Sequence, residues 1–359
     1  MYLKKIHLVH FKNFQEKSYD FLPRINAFVG NNGMGKTNVL DAIYYLSFFK
    51  SYFNHIDAQN IHFGEEFFFL EGWFQKNEKE EWVQVSVKKG EKKQVQRNKK
   101  NYERMADHVG SFPVVIISPA DRDLITEGSD VRRKFIDRII SQSDALYLAD
   151  LLRYNKVLQQ RNALLKYFAA NRTFNELQLT IFDKEILELS QNIYPKREEF
   201  LKGFIPIFKS YYEQISTGKE CVDISYQSQL QENPTDFLRK ALEKDRLLQY
   251  TTAGVHKDDL EFKLGGNRIK KFGSQGQQKS FLIALKLAEL EMIKKQTQIT
   301  PILLLDDIFD KLDESRVEQI ISLVNHEHFG QIFLSDTHPE RTTKILKKIN
   351  EEHQVFHLY

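Results

Sequence analysis

The chain has 359 residues, of which 41% are hydrophobic and 28% charged, and its formal net charge is +3. This apolar share excludes a disordered chain, and the single cysteine, Cys221, excludes a disulfide scaffold and an all-cysteine zinc site. The nearly balanced charge does not by itself indicate a nucleic-acid-binding protein. The apolar runs are far shorter than the roughly 18 residues that a membrane helix needs, so we expect a cytoplasmic protein with no membrane contact.

The first third of the chain predicts strands around a single helix. Short β-like segments lie at 3–9 and 27–29, and apolar residues at helical spacing predict a helix over 37–49. Residues 67–117 are rich in strand-forming residues, with near-alternation over 81–88.

The middle of the chain predicts helices, and its last third alternates strands with helices. Residues 129–194 contain neither glycine nor proline and keep helical spacing, which predicts an insertion of about three helices. Further on, we expect helices over 236–246, 280–295, 314–324 and 340–350, and strands over 259–264, 301–306 and 331–335.

The strongest motif follows the strand at 27–29 and opens the helix at 37. It fits the P-loop pattern, in which backbone N–H groups surround a triphosphate at a helix N-terminus. Lys36 would reach the β- and γ-phosphates, and the Thr37 hydroxyl would bind Mg²⁺. The alternative, a glycine-rich turn without a ligand, is disfavoured by the flanking strand and helix. The predicted ATP-binding residues are Gly30, Asn31, Asn32, Gly33, Met34, Gly35, Lys36 and Thr37.

A second motif is an apolar strand that ends in two carboxylates, Asp306 and Asp307. Buried parallel strands end at the sheet edge where ligands bind, so Asp306 is placed to hold Mg²⁺ and Asp307 to activate a water molecule. With Lys36, Asp307 is a predicted catalytic residue. Alone, this pattern is more often a strand end or a helix cap; together with the P-loop it predicts nucleotide hydrolysis.

A third motif stands before the helix predicted at 280. Ser274 and Gly276 would form a second anion-binding helix end, although an ordinary N-cap is the simpler interpretation without context. In ABC-type ATPases such a segment of one subunit closes on ATP held by another. The predicted members of this part of the ATP site are Ser274, Gln275, Gly276 and Gln277.

Together these motifs and several further segments resemble the RecF family of SMC/Rad50-like ABC ATPases. The matching segments are spread nearly from one end of the chain to the other and comprise residues 11–14, 26–43, 117–121, 132–137, 160–162, 164–166, 254–258, 274–279 and 305–313. The resemblance implies an α/β, ABC-type ATPase head, with a P-loop and a mixed sheet flanked by helices. We predict a first lobe from residues 1–118 and 280–359, and a mainly helical second lobe over 119–279.

The resemblance also implies a function. It predicts an ATP- and Mg²⁺-dependent DNA-binding protein of recombinational repair and replication restart, connected with the SOS response. ATP would drive homodimerisation on single-stranded, gapped or branched DNA without sequence preference, and slow hydrolysis would release it. RecR and RecO are the implied protein partners.

Three residues depart from the family pattern: Ala120 stands in place of an acid, Val255 in place of proline and Asp41 in place of glutamate. None of them is a predicted phosphate or Mg²⁺ ligand, so we expect activity to be retained. The resemblance further implies a coupling loop at 311–313. It leaves open whether His338 is a switch histidine or a surface residue.

Chain length separates the alternatives. Only 236 residues separate Thr37 from Ser274, too few for the long coiled coil of SMC and Rad50 proteins. A transporter ATPase subunit would lack the segments at 132–137 and 254–258, and an appended nuclease would need more than the 46 residues after Asp313. An ATP switch that loads partner proteins stays open.

The sequence signals for DNA contacts are less specific than those for the nucleotide site. The strongest is a basic hairpin over 88–100, which has seven cations against Glu91; a solvated loop is an equally good interpretation. Arg132, Arg133 and Lys134 are either phosphate contacts or partners of nearby acids such as Asp130 and Asp137, and the second is favoured. Residues 160–162 are expected to form an inter-lobe contact. The seven cations of the hairpin are Lys88, Lys89, Lys92, Lys93, Arg97, Lys99 and Lys100.

Overall fold

The computed structural model describes residues 1–216, 218, 220–231, 235–308, 319, 329–348 and 352–359. Their contacts divide the chain into two compact units. The first comprises Met1–Arg122, Tyr211–Gly218 and Lys279–Tyr359, and the second comprises Asp123–Ser210 and Lys219–Gln278.

The strands and helices follow one another in an order that is strand-rich, then helical, then alternating. Up to residue 126 they are β1 (Tyr2–Phe11), β2 (Phe14–Asp20), β3 (Ile25–Gly30), α1 (Lys36–Phe48), β4 (Phe67–Lys76), β5 (Lys79–Lys88), β6 (Gln94–Arg97), β7 (Lys100–Asn101), β8 (Val114–Ile117) and α2 (Asp123–Thr126). Then come α3 (Ser129–Ser143), α4 (Ala145–Asn171), α5 (Glu176–Ser216), β9 (Val222–Gln227), α6 (Phe237–Leu248), β10 (Asp259–Leu264), β11 (Asn267–Arg268) and α7 (Ile269–Phe272). The last are α8 (Gln275–Thr297), β12 (Ile302–Asp306), β13 (Ile332–Asp336), α9 (Pro339–Lys348) and β14 (His353–Leu358).

The helices predicted over 37–49, 236–246 and 340–350 and the strands predicted over 259–264, 301–306 and 331–335 are confirmed within a few residues. The three helices expected from 129 onward are α3, α4 and α5. The helix predicted from 280 begins at Gln275 instead. Strands β2, β9 and β14 were not predicted, and the helix expected over 314–324 and the coupling loop at 311–313 lie outside the described residues, residue 319 excepted.

Two sheets build the first unit. A five-stranded parallel sheet has the order β14-β3-β13-β12-β8, and a six-stranded antiparallel sheet has the order β2-β1-β4-β5-β6-β7. Strands β8, β12 and β13 are buried along their whole length, as expected for parallel strands covered on both faces. One hydrophobic core joins residues of both sheets with α1, among them Leu8, Leu40, Ile43 and Leu304.

The second unit combines helices with a three-stranded antiparallel sheet of order β11-β10-β9. At its centre Arg161 is fully buried and donates to Asp183 and Asp245, each at 2.6 Å, and to Thr251 at 2.9 Å. The Asn162 side chain accepts from the backbone N–H of Thr251. These partners all belong to the second unit, so the expected inter-lobe contact at 160–162 is corrected to packing within one unit.

The basic residues that open α3 are held by acids. Arg132 donates to Asp259 at 2.7 Å, and Lys134 lies 2.6 Å from Asp130. The acid-partner interpretation is therefore right for these two cations, with Asp259 as a partner that the sequence pattern did not indicate.

No helix in the described part of the chain is long and apolar enough to span a bilayer.

Candidate functional site

The topology of the parallel sheet brings the P-loop and the carboxylate pair together. Strand β13 lies between β3 and β12, and all three run in the same direction. The carboxyl ends of β3 and β12 therefore open on one edge of the sheet, which is where α/β proteins bind ligands. Residues 30–37 leave β3 at that edge and lead into α1, whose N-terminus favours a negative charge.

Two glycines of the loop stand where no side chain fits. Gly30 pairs with Leu358 across β3 and β14, and a Cβ at Gly30 would lie 2.2 Å from the Leu358 carbonyl oxygen. Gly35, with φ +96°, caps α1, and a Cβ there would lie 2.5 Å from the Asn13 side chain. The tight path of the loop thus requires glycine at both positions.

We expect Gly30→Ala to destabilise the chain by about 2 to 4 kcal/mol, because the new Cβ meets backbone at a φ of +153° that a side chain rarely adopts. Thermal unfolding followed by circular dichroism measures this change. Gly128→Ala is the matched control, because a Cβ there meets no atom within 4 Å and its φ of −72° is ordinary. Equal melting temperatures for the two variants would contradict the expected clash.

The Lys36 ammonium lies inside the curl of the loop. Its Nζ donates to the carbonyl oxygens of Gly30 at 2.7 Å and Asn31 at 2.8 Å, and the residue is only 6% exposed. Burial lowers the pKa of Lys36, while the negative charges of Asp307, Asp306 and Asp336 act in the opposite direction. A positive charge is therefore held by the backbone at the point where the phosphates of a nucleotide would sit.

The P-loop and the carboxylate pair are joined directly by Thr37 and Asp306. The Thr37 hydroxyl donates to Asp306 Oδ1 at 2.9 Å, across 269 residues of sequence. Burial raises the pKa of Asp306, and the hydrogen bonds from Ser335 and Thr37 oppose that rise. The two residues predicted to bind Mg²⁺ thus lie within hydrogen-bonding distance of each other.

Asp307 continues past the end of β12 in an unusual backbone conformation. Its φ is +47°, in the left-handed region, and its N–H donates to the carbonyl oxygen of Ser335 at 3.2 Å and to the Ser335 hydroxyl at 3.1 Å. Its Oδ1 is buried and accepts no hydrogen bond from the described residues. A left-handed non-glycine residue next to a ligand-binding edge is typical of functional sites.

The residues at this edge fit a magnesium ion. An unpartnered carboxylate oxygen on Asp307 and a hydroxyl–carboxylate pair of Thr37 and Asp306 are hard oxygen donors, the kind that Mg²⁺ prefers. Magnesium is commonly bound by one or two protein oxygens, water and phosphate rather than by a protein cage. Among the residues that the structure describes, no group of three or more His, Cys, Asp or Glu side chains could hold a metal.

A third acid, Asp336, lies fully buried at the end of β13. It accepts from Arg341 Nε at 2.9 Å, from the Thr342 hydroxyl at 3.0 Å and from the N–H of His338 at 3.0 Å. Although burial would raise its pKa, these bonds, Arg341 foremost, keep the pKa of Asp336 below its ordinary value. The His338 side chain is 67% exposed and contacts Thr337, which favours the surface interpretation of this histidine.

Asp41, which stands in place of the commoner glutamate, has a structural role in α1. It is buried and accepts from the Ser51 hydroxyl at 2.6 Å and from the N–H of Tyr52 at 2.7 Å, and it pairs with Lys12 at 2.5 Å. Its carboxylate therefore holds the segment that follows α1.

The Ser274 segment forms a reciprocal N-cap. The Ser274 hydroxyl accepts from the N–H of Gln277 at 3.2 Å, and the Gln277 side chain accepts from the N–H of Ser274 at 2.8 Å. This capping box explains why α8 begins at Gln275. Gln277 is further held by Glu220 at 2.7 Å, while Ser274 and Gln275 are exposed.

The basic hairpin is largely neutralised within its own unit. Lys93 lies 2.8 Å from Asp57, and Arg97 lies 2.8 Å from Glu81. The other two pairs join Lys88 to Glu91 at 2.5 Å and Lys89 to Glu66 at 3.3 Å. Three exposed lysines form no ion pair with any residue that the structure describes, namely Lys92, Lys99 and Lys100.

Sequence reasoning did not single out Ser335, which contacts the Asp306 carboxylate and the backbone N–H of Asp307. Its hydroxyl donates to Asp306 Oδ1 at 2.7 Å and accepts from the Asp307 N–H. The available signal was a hydroxyl residue at the end of an apolar strand, next to the strands that carry the P-loop and the carboxylates.

The chain is similar to a known protein family over nearly its whole length. Residues 2–356 match the family model described as the RecF/RecN/SMC N terminal domain. A RecF protein of Flavobacterium johnsoniae, named DNA replication and repair protein, is 54% identical over 359 residues and is covered along 100% of both chains. The protein of the same name from Phocaeicola vulgatus is 48% identical, with 99% of this chain and 96% of its own covered.

Solved structures give a matching result. The structure described as the recombination mediator protein RecF-ATP in the RecFOR pathway superposes with a TM-score of 0.89 at 30% identity, over 100% of this chain and 95% of that one. The Smc head domain of Pyrococcus furiosus, with a TM-score of 0.60 at 17% identity, shares the fold. The predicted α/β, ABC-type ATPase head is therefore confirmed, and the chain belongs to the RecF family of DNA replication and repair proteins.

Proposed function

We propose that the chain binds ATP with Mg²⁺ at residues 30–37 and uses it to control binding to DNA in recombinational repair and replication restart. The observation that carries this proposal is the convergence of Lys36, Thr37, Asp306 and Asp307 at one sheet edge. Relatives that are named DNA replication and repair proteins, and a structural relative described with ATP, support it.

Each residue of the site has a role in this proposal. The backbone N–H groups of residues 30–37 and the Lys36 ammonium bind the phosphates. Thr37 and Asp306 are the groups that would hold Mg²⁺, which supplies positive charge to the phosphate oxygens when bound. Asp307 orients an attacking water and accepts its proton, the role of a general base.

We also propose that the site is completed by a second copy of the chain. The exposed Ser274 and the N-terminus of α8 offer hydroxyl and N–H groups to a phosphate. A nucleotide bound by two chains would stabilise the dimer, and hydrolysis would remove that contribution. RecR and RecO are the proposed protein partners, because structural relatives are described as parts of the RecFOR pathway.

One experiment tests the proposal as a whole. DNA binding and molecular size are measured together, with and without ATP, at two salt concentrations and on single-stranded, duplex and gapped DNA. We expect ATP to convert monomer to dimer and to increase DNA affinity, with affinity falling as salt rises. DNA binding and size that do not respond to ATP would contradict the proposal.

For the DNA surface, we expect the triple variant Lys92→Glu, Lys99→Glu, Lys100→Glu to weaken DNA binding and to flatten its salt dependence, since each lost phosphate contact lowers the salt slope by about 1. Fluorescence anisotropy at several salt concentrations measures both quantities. Lys93 is left intact, because its ion pair with Asp57 stabilises the fold.

The matched control reverses the charge of three cations that are paired with acids and lie outside the hairpin. These cations are Lys134, Arg153 and Lys196. Equal DNA affinity and an equal salt slope in the hairpin variant and the wild-type chain would move the DNA site elsewhere.

A further inference from the structure

A serine hydroxyl on β13 hydrogen-bonds both the Asp306 carboxylate and the backbone N–H of Asp307 at the proposed ATP site. We propose that Ser335 is a positioning residue for ATP hydrolysis, whose hydroxyl holds Asp306 and Asp307 in the arrangement that the reaction requires. This inference rests on the proposed function, because it concerns the same site.

The register of the parallel sheet places Ser335 beside the first carboxylate. Asp306 pairs with Ser335 where β12 lies next to β13. Side chains at paired positions of neighbouring strands project from the same face of a sheet, so the serine and the aspartate lie side by side. Both are buried, at 1% and 4% exposure, which excludes bulk water as a competing partner.

The hydroxyl uses its donor and its acceptor capacity on this pair. It donates its single proton to Asp306 Oδ1 at 2.7 Å and accepts the Asp307 N–H at 3.1 Å. Thr37 donates to the same Asp306 oxygen at 2.9 Å. One carboxylate oxygen is thereby held between two hydroxyls, which fixes the orientation of the other.

The bond to the Asp307 backbone matters because that residue has a left-handed conformation, with φ +47°. Such a conformation persists where surrounding contacts hold it. The Asp307 N–H is shared between the carbonyl oxygen and the hydroxyl of Ser335, and its carboxylate Oδ1 has no hydrogen-bond donor among the described residues. Ser335 therefore controls the direction in which the Asp307 side chain leaves the strand.

The Ser335 hydroxyl shares the Asp306 oxygen with Thr37 but, within the described part of the chain, forms no hydrogen bond with the loop residues 30–36 that surround the phosphate position. The proposed phosphate-binding groups, residues 30–37, belong to the end of β3, the loop after it and the first turn of α1. Removing the hydroxyl should consequently disturb the carboxylates and leave phosphate binding in place. A lowered kcat with unchanged ATP affinity would therefore identify a positioning role, because a general loss of stability would lower both.

The test compares Ser335→Ala and Ser335→Thr with the wild-type chain. ATP affinity is measured by fluorescent-nucleotide titration in EDTA and again in Mg²⁺, kcat and KM by phosphate release, and stability by thermal melting. Ser47→Ala is the matched control, because Ser47 is also a buried serine of the first unit, and its hydroxyl donates to the Phe112 carbonyl oxygen instead. Ser335→Cys, a variant close in volume with a weak hydrogen-bonding group, takes the place of Ser335→Ala if that variant does not fold.

We expect Ser335→Ala to lower kcat by about 10-fold to 100-fold, the effect of misplacing a reacting group by about 1 Å. Its ATP affinity in EDTA should stay within about twofold of wild type, while the gain in affinity from Mg²⁺ should shrink, since one of the two donors that orient Asp306 is lost. Ser335→Thr should retain most of kcat, and Ser47→Ala should leave it unchanged.

A wild-type kcat and a wild-type response to Mg²⁺ in folded Ser335→Ala would overturn the inference. So would a loss of kcat that Ser47→Ala reproduces in proportion to its loss of stability, or a Ser335→Thr variant as slow as Ser335→Ala. If the wild-type chain neither binds nor hydrolyses ATP, the proposed function and this inference both fail. If the wild-type chain hydrolyses ATP and Ser335→Ala is equally active, only this inference fails.

Discussion

Lys36→Met is expected to abolish ATP binding at micromolar concentrations. The methionine side chain has a similar length but no charge, so it loses the charged contacts to the phosphates, each worth about 1.5 to 3 kcal/mol. Two such contacts correspond to a loss of affinity of about 100-fold to 10,000-fold, because each 1.4 kcal/mol is a factor of ten. Isothermal titration with ATP measures the effect.

The fold should survive this change. The carbonyl oxygens that accept from Lys36 Nζ belong to the half-buried Gly30 and the exposed Asn31, so we expect water to replace the lost donor. Thermal melting without nucleotide checks this expectation, and Lys92→Met, at an exposed lysine outside the site, is the matched control. Unchanged ATP affinity in Lys36→Met would show that residues 30–37 are not the nucleotide site.

Asp307→Asn is expected to accumulate an ATP-bound dimer. Asparagine has nearly the same shape as aspartate and tolerates the left-handed φ of this position, so the backbone bonds to Ser335 are retained. It cannot accept a proton from water, and loss of a general base lowers the rate by about 100-fold to 10,000-fold. Binding persists while turnover stops, which traps the bound state.

Size-exclusion chromatography with light scattering, with ATP and with ADP, measures the accumulated dimer, and single-turnover phosphate release measures the lost rate. The matched control is Asp107→Asn, at an exposed acid paired with Arg104 in the same unit. If Asp307→Asn remains monomeric with ATP while it binds the nucleotide, the site completed by two subunits is wrong.

Local sequence was sufficient to predict the parts of the candidate site that consist of consecutive residues. The P-loop is recognisable because its glycines, its lysine and its hydroxyl serve one short turn between a strand and a helix. The same holds for the apolar strand that ends in Asp306 and Asp307, because four buried residues in a row leave little choice other than a covered parallel strand.

Edge strands were harder to predict. Most of β2 is exposed, so its sequence is polar and shows little alternation, and β14 lies at the edge of the parallel sheet with only Leu358 buried. Strand β2 forms because the adjacent β1 offers hydrogen-bonding partners, and β14 forms because β3, which is far away in the chain, offers them. Propensity and periodicity carry no information about either neighbour.

The same limit applies to charges. Seven cations in thirteen residues suggested a basic surface, yet Asp57, Glu66 and Glu81, together with Glu91, neutralise four of them. Which acid meets which base depends on how the strands pair, so a local count of charge overstates the field that a partner would meet.

The motifs and their resemblance to a known family were enough to place this chain among ABC-type ATPases, because phosphate binding requires a short run of particular residues whose order is visible in the sequence. The meeting of Thr37, Asp306 and Ser335 was not visible there, because Asp306 lies 269 residues from Thr37 and 29 from Ser335. Only the order β3-β13-β12 in one parallel sheet brings their hydroxyl and carboxylate oxygens within 3 Å of each other. The net charge of +3 likewise does not show where positive charge is exposed. Folding pairs four of the seven hairpin cations with acids and leaves three lysines exposed to solvent.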